Sequence, residues 1–509
     1  MSDADAEARL LEAILAHGAD GGDRLALVCE GGSLSWGGLR ARVLRLAGAI
    51  VRAAPEADRP ICLLGANSLD LVVAYLAIIA AGRCAVPLPV SATSETLADM
   101  LADCDPALVF LDSDGLALAR GYTGGPFIGL GVEGEDVIGL EAFMGEGPAL
   151  AAPDTVLPGT PFNIIYSSGT TARPKGIVHA HAMRYRQAAR GVFALSPAST
   201  MLLATPFYSN TTLMPLLATL FHGGRVVLMR KFSASAYLDR AEHHGATHTM
   251  LVPVQYQRIL DEPGFSNRDL SRFEIKQCTG APLPATLKHK VVAHWPGRLL
   301  EIYGLTEGGC TAILDVVAHP DKAHSVGRPA PGNDIRIIDD AGTLLAPGEV
   351  GELVGRSPAM MSGYFRDSEA TKAFYWHAPD GTVFHRTGDI GRFDADGFLV
   401  LLDRKKDVII SGGFNIYASD LEGVLMAHEA VSDATVIGVP SERWGETPLG
   451  LVVLREGAAV TGEALLDHVN ARVGKLQRLS GIELRDSLPR SPAGKLLKQT
   501  LKAHYRGNA

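Results

Sequence analysis

Basic residues are not in excess in this chain. Lys and Arg number 47 against 56 Asp and Glu, a formal charge of −9. That balance argues against nucleic acid as a main partner, because neutralising phosphates needs clustered cations. Cysteine is sparse as well: six in 509 residues (Cys29, Cys62, Cys84, Cys104, Cys278, Cys310), scattered and without a CxxC pair. They read as small buried hydrophobes in a reducing compartment rather than as a disulfide framework or zinc site. Long hydrophobic runs are also missing. The greasiest, residues 71–81, is followed by Gly82 and Arg83, short of the ~20 residues a membrane span needs. Residues 1–19 are acidic and helical in pattern, not basic then apolar, so no signal peptide is expected and the protein reads as soluble and cytoplasmic. With hydrophobic residues at 47% and charged residues at 20%, disorder as the main state is excluded too.

Several familiar motifs are absent. No glycine–lysine pair is followed directly by Ser or Thr at the Walker offset; after Lys175 come Gly176 and Ile177. GLGVEG at residues 129–134 is formally GxGxxG, but no convincing helix follows, and Glu133 and Glu135 would repel a pyrophosphate. His179 with His181, and His243 and His244 with His248, have no carboxylate or thiol at ligand spacing and no HExxH. They read as surface or satisfied histidines.

What the chain does have is alternation. Apolar strand-like runs (RPICLLGAN, CAVPLPV, PALVFLD, MLLATPF, GRVVLM, HTMLVPV, FEIKQCTG) are interleaved with helical patterns, which predicts α/β layering on a largely parallel sheet. Residues 334–400 change to short strands punctuated by Gly, Pro and Asp, a smaller β-rich unit. After the charged joint DRKKD, about 100 residues carry their own α+β pattern. The expected division is therefore 1–402 and 403–509.

Five segments carry candidate chemistry. Residues 164–178, IIYSSGTTARPKGIV, run from a strand into small and hydroxylated residues and then Lys175. Such a run makes a donor-rich concavity suited to a polyphosphate, although a polar hairpin loop reads the same way in isolation. EIYGLTEGG (301–309) ends a strand in Thr306 and Glu307, placed to hold a divalent cation against phosphate. HRTGD (385–389) sets Asp389 after a tight turn, as a ribose diol would require. DRKKDVIISGGFNIYASDLE (403–422) joins a charged joint, a strand, a glycine pair and a helix start. PRSPAGKLLK (489–498) presents Lys495 on a Pro/Gly-bounded loop.

In this order, over nearly the whole chain, these segments resemble the acyl- and aryl-CoA synthetases of the adenylate-forming superfamily. The resemblance implies a large N-terminal domain of layered α/β subdomains with a β-rich unit, and a small mobile C-terminal domain. It also implies a two-step reaction: a carboxylate and ATP give acyl-adenylate and pyrophosphate, then a thiol displaces AMP. Carried over, Ser167, Ser168, Gly169, Thr170, Thr171 and Lys175 belong to the phosphate loop. Thr279, Gly280, Ala281, Pro282, Tyr303 and Gly304 would surround the adenine, and Asp389 with Arg404 would hold the ribose. Thr306 and Glu307 would serve ATP, with Glu307 and Thr170 on Mg²⁺. Lys406 would be the hinge, and Lys495 would bridge the carboxylate and the α-phosphate. Gly412, Gly413 and Phe414 would line the thiol tunnel, with Trp444 stacked on the coenzyme A nucleotide. Two positions depart from the family pattern. Ala172 follows Thr171 where glycine is usual, and Tyr208–Ser209 stands where an aromatic–histidine pair is common.

The resemblance implies that PFYSNTTLMP lines the acyl pocket, with Phe207, Tyr208, Ser209, Asn210, Leu213 and Met214. That run holds no acid to pair an ammonium and no cation to pair a second carboxylate. The expected substrate is therefore an uncharged-tail acid, aromatic or medium-to-long aliphatic, with room for a hydroxyl or carbonyl at Asn210. Free coenzyme A is the expected acceptor; a carrier protein's phosphopantetheine thiol is the alternative, and a homodimer stays open. A non-catalytic nucleotide-binding scaffold is the third reading, disfavoured by the presence of Lys495, Glu307 and Asp389.

Overall fold

The structure, a computed structural model, describes residues 6–56, 58–167, 174–490 and 496–506. Two large sheets dominate it. The first has nine strands in the order Arg328–Pro329, Thr311–Asp315, Arg298–Gly304, Ile275–Cys278, His248–Leu251, Thr200–Leu203, Arg225–Leu228, Leu25–Cys29, Gly32–Ser35. It is parallel from Arg298–Gly304 to Leu25–Cys29 and antiparallel at both margins. The second has eight: Gly363–Tyr364, Lys175–Ala180, Pro161–Ser167, Ala85–Pro87, Ile61–Leu64, Leu108–Leu111, Phe127–Gly129, Val137–Gly139.

The main core lies between these sheets. Helix Leu69–Ala80 is buried at every position from Leu71 onward. That explains its lack of a polar face, since a helix apolar all round must be covered all round. Each aliphatic side chain so buried contributes roughly 1.5–3 kcal/mol. Strand alternation feeds both sides of a sheet: Ile61 and Leu63 enter this core, while Cys62 and Leu64 enter a second cluster beneath helix Ser94–Cys104. Ser35, Ser68 and Thr93 each cap a helix by accepting a backbone N–H. Among the described residues no helix is long and apolar enough to cross a membrane.

The glycine-rich decoy folds as the lack of a following helix predicts. Strand Phe127–Gly129 ends at its first glycine, and another strand, Val137–Gly139, comes next. All six cysteines are thiols, with the Cys62 and Cys104 sulfurs 3.4 Å apart.

A third sheet (Asp334–Ile338, Gly351–Arg356, Val383–Phe393, Tyr375–His377, Leu399–Arg404) forms the β-rich unit. A fourth (Phe414–Ile416, Ile409–Ser411, Gly445–Leu454, Val431–Ser441, Gly481–Leu484) packs on helices Ala418–Met426 and Gly462–Asn470 around its own core. The molecule is thus a mixed α/β protein with a large N-terminal and a small C-terminal domain.

Candidate active site

The site begins where strand Arg298–Gly304 leaves the first sheet. Tyr303, near its end, donates its phenol to Asp389 Oδ2 at 2.7 Å. The other carboxylate oxygen takes Arg404 Nε at 3.0 Å, because Asp389 and Arg404 are directly opposed across paired strands. Burial and the Asp389 charge push the Tyr303 phenol up, so it stays a donor. Asp389 is nearly buried, and its own N–H is held by Thr387 Oγ1 at 3.0 Å. Four acceptor positions on a carboxylate leave room for diol hydroxyls beside these two partners.

Beside Tyr303 lies the turn after strand Ile275–Cys278. Thr279 Oγ1 donates to the Ile302 carbonyl at 2.8 Å, and Leu283 N donates to Glu301 Oε1 at 3.0 Å. Glu301 is itself buried against Lys288. These bonds anchor the turn at both ends and leave Gly280, Ala281 and Pro282 at the surface. Gly280 takes φ +88°, a left-handed conformation that favours glycine.

Three residues past Gly304 stands Glu307. Its Oε1 accepts from the Tyr364 hydroxyl at 2.9 Å, and Lys175 Nζ lies 5.1 Å from the centre of the Tyr364 ring. Tyr364 reaches this position because strand Gly363–Tyr364 pairs with strand Lys175–Ala180. The following Gly308 is obligatory: a Cβ there would sit 2.1 Å from the Ala359 carbonyl oxygen. Ser167 and Lys175 face each other at the mouth of a hairpin. Ser168, Gly169, Thr170 and Thr171 lie outside the described residues, as does Lys495.

A chain of donors runs behind this cluster. Arg184, fully buried, donates from Nε to Asn163 Oδ1 at 2.8 Å and from Nη1 to Gln187 Oε1 at 2.9 Å and Asn210 Oδ1 at 2.7 Å. Guanidinium groups only donate, so the Asn163 oxygen must face Arg184 and its NH₂ must face His179 Nδ1, 3.4 Å away. His179 therefore carries its proton on Nε2, which donates to the Thr306 carbonyl at 2.8 Å. Burial holds this imidazole well below its usual range, hence neutral. Burial also draws the Arg184 guanidinium down to about 10.

Within the expected acyl run the side chains divide. Phe207 and Leu213 point into the inter-sheet core, where Phe207 packs edge-on against Tyr75. Tyr208, Ser209, Asn210 and Met214 are half-buried. Ser209 caps helix Asn210–Phe221 by accepting from Thr211 N, and the Tyr208 hydroxyl meets Ser91 Oγ at 3.1 Å. The run itself has no cation, but the fold sets the Arg184 charge behind Asn210. The exclusion of a second anionic group therefore no longer follows from the run, because a neighbouring helix supplies the charge.

At the joint the side chains are clamped on either side of Lys406. Arg404 holds Asp389, and Lys405 holds Asp340 at 2.8 Å and Glu352 at 3.1 Å. Asp407 instead takes Lys502 and Gln499 of the C-terminal helix, both at 3.3 Å. Beyond the joint, Gly412 and Gly413, at φ +57° and +83°, make the two-residue turn joining strands Ile409–Ser411 and Phe414–Ile416. Gly412 N donates to the Trp444 carbonyl at 2.8 Å, and the Trp444 indole lies against Gly412. Phe414 and Trp444 are 55% and 46% exposed, with the Arg443 guanidinium over the indole. That face offers aromatic surface and charge to a partner.

Among the described residues no three His, Cys, Asp or Glu side chains cluster to hold a metal. A cation beside Glu307 would have to complete its shell with phosphate oxygens and water. That donor set fits Mg²⁺, which keeps several waters and takes one or two carboxylates plus phosphate.

Residues 15–365 match the family described as AMP-binding enzyme, and residues 420–495 match its C-terminal domain. The chain belongs to the AMP-binding enzyme family. It is an adenylate-forming ligase of an ATP-dependent family. The chain is 30% identical to a fatty acid–[acyl-carrier-protein] ligase of Streptomyces coeruleorubidus, over 95% of this chain and 94% of the relative. It is 30% identical to an indoleacetate–CoA ligase of Aromatoleum aromaticum, over 92% of both. An amide bond synthetase from Marinactinospora thermotolerans superposes with a TM-score of 0.88 at 29% identity, over 98% of this chain and 99% of that one. The acceptors these names give are a carrier protein and coenzyme A, and the third names an amide product.

Sequence reading missed Tyr364 and the Arg184–Asn163–His179 chain. Nothing local in SGYFRD marks Tyr364, because its role comes from a strand pairing nearly 190 residues away in sequence.

Proposed function

We propose that the protein is an ATP-dependent acid–thiol ligase. It converts an aromatic or medium-to-long-chain aliphatic acid to its acyl-adenylate and transfers the acyl group to coenzyme A. The observation that carries this reading is the closeness of two clusters along one strand end. Tyr303 with Asp389 and Arg404 suits a ribose, and Glu307 with Tyr364 and Lys175 suits phosphates. Only three residues separate Tyr303 from Glu307.

In the first step a carboxylate oxygen forms a bond to the α-phosphorus and the bond to the β-phosphate oxygen breaks, releasing pyrophosphate. Both reactants are anions, so the step needs positive charge fixed in place before the encounter. Lys175 and Lys495 supply it, with Mg²⁺ at Glu307 neutralising phosphate charge when bound. In the second step the thiol sulfur attacks the acyl carbon and AMP leaves, carrying the electron pair of the broken acyl–oxygen bond. Within residues 403–509, the part beyond Lys406 turns about that residue between the steps, bringing Gly412, Gly413 and Phe414 to the acyl carbon, while Arg404 and Lys405 stay with the large domain.

The exposed Trp444 and Arg443 favour free coenzyme A, whose nucleotide they suit. The likeness to a carrier-protein ligase supports a second reading, in which the same arm arrives on a carrier protein. Pyrophosphate release over a panel of carboxylic acids, with products weighed after adding coenzyme A or a carrier protein, separates the two. Acid-dependent pyrophosphate with acyl-CoA supports the first reading; acyl-carrier alone supports the second.

A further inference from the structure

We infer that Arg184 selects the substrate's tail through Asn210, so that the preferred acid carries an acceptor oxygen at the depth of that side chain. The inference rests on the acid-activating reading above and on Asn210 lining the acyl pocket. Its physical basis is the one-sided chemistry of a guanidinium. Arg184 Nη1 is 2.7 Å from Asn210 Oδ1. With no acceptor on Arg184, the amide cannot turn over without placing two N–H groups against a buried cation. Asn210 Nδ2 must then face away from Arg184.

That nitrogen has no acceptor among the described residues and is not sealed from solvent. It is a donor held in one orientation at the first residue of helix Asn210–Phe221, where the helix end adds partial positive charge. Among the described residues Arg184 has no carboxylate partner, and its Nη2 is buried with no partner at all. The Arg184 charge and the helix end both favour an oxygen lone pair over a methyl or an ammonium. A ketone and a carboxylate share this chemistry.

The test compares acids that differ only at the tail. Pyrophosphate release is measured with 4-acetylbenzoate, its apolar isostere 4-isopropenylbenzoate and the dicarboxylate terephthalate. Aliphatic oxo acids, with the ketone moved along the chain, are measured against their methyl-branched counterparts. The expected result is a kcat/KM ratio of roughly ten in favour of the acceptor in at least one series, the scale of one hydrogen bond. The terephthalate arm tells a carboxylate from a ketone. Asn210→Asp keeps an acceptor toward Arg184 but has no N–H to offer, so the ratio should collapse mainly through a raised KM for the oxo acid. Arg184→Gln frees the amide to rotate and should lower the same ratio. If Arg184→Gln does not fold, Asn210→Asp carries the test alone.

Apolar isosteres used as well as acceptors throughout both series would overturn the inference. So would an Asn210→Asp enzyme that loses activity equally on both acids, the mark of a merely structural role. A wild-type protein that releases pyrophosphate with no acid at all overturns the parent reading instead, which keeps the two failures apart.

Discussion

Glu307 is placed by a phenol rather than by a cation, and this leaves its charge for the substrate. The Tyr364 hydroxyl holds Oε1, while Lys175 stays on the ring face at 5.1 Å. Tyr364→Phe keeps the ring and removes the bond. Adenylation should fall roughly ten-fold, the scale of one hydrogen bond to a charged group. Thioester formation from supplied acyl-adenylate should be unchanged. Equal loss in both steps would mean that Tyr364 supports the fold rather than Glu307. A second residue-scale prediction concerns His181, buried with both ring nitrogens unpartnered among the described residues. Burial lowers it to about 4 from an ordinary 6.5. The unfolded chain takes the proton near pH 6.5 and the folded one only near pH 4, so stability is lost as pH falls through that window. His181→Met should remove up to about 3 kcal/mol of this acid sensitivity. Denaturant midpoints from pH 7 to 4 measure it; parallel slopes for both proteins would refute it.

At the scale of elements, the strands and helices were largely legible. Parallel strands covered on both faces read as unbroken apolar runs, as LALVC, ICLL and LVFL do. Helix Leu69–Ala80 was legible as an apolar run too short to span a membrane, and its reason is burial between two sheets. The candidate site was legible where its residues sit in marked segments, as Lys175, Tyr303, Glu307, Asp389 and Arg404 do. Asn163, His179, Arg184 and Asn210 come from separate strands and helices, and no spacing in the chain connects them. Apolar letters could not tell pocket from core either, and Phe207 and Leu213 belong to the core. The glycine pair has a local reason beyond any thiol: both residues need positive φ in a two-residue hairpin turn. The joint is the element whose role is most open to test. Neighbours on one side of Lys406 are tied to the large domain, and Asp407 is tied to the C-terminal helix. Lys406→Pro fixes φ at that point. The variant should release pyrophosphate at a normal rate and fail to form thioester; normal overall turnover would move the hinge elsewhere.

For the whole molecule, the proposed cycle runs two reactions at one site served by a rotating domain. That assignment makes Lys495 a residue of the first reaction alone. Lys495→Ala should cut adenylation by roughly 10²–10³-fold, the usual scale for one electrostatic group. Transfer from supplied acyl-adenylate should persist, and equal loss in both steps would place Lys495 outside this role. In the proposed cycle the protein activates a carboxylic acid by adenylation before any thiol is involved. The most direct measurement is pyrophosphate release from ATP with and without a carboxylic acid, in the absence of coenzyme A, with the bound product identified by mass. The expected result is acid-dependent pyrophosphate in roughly stoichiometric amount and an enzyme-bound acyl-adenylate, converted to acyl-CoA and AMP when coenzyme A is added. Release of ADP and phosphate, or pyrophosphate release indifferent to the acid, would contradict it.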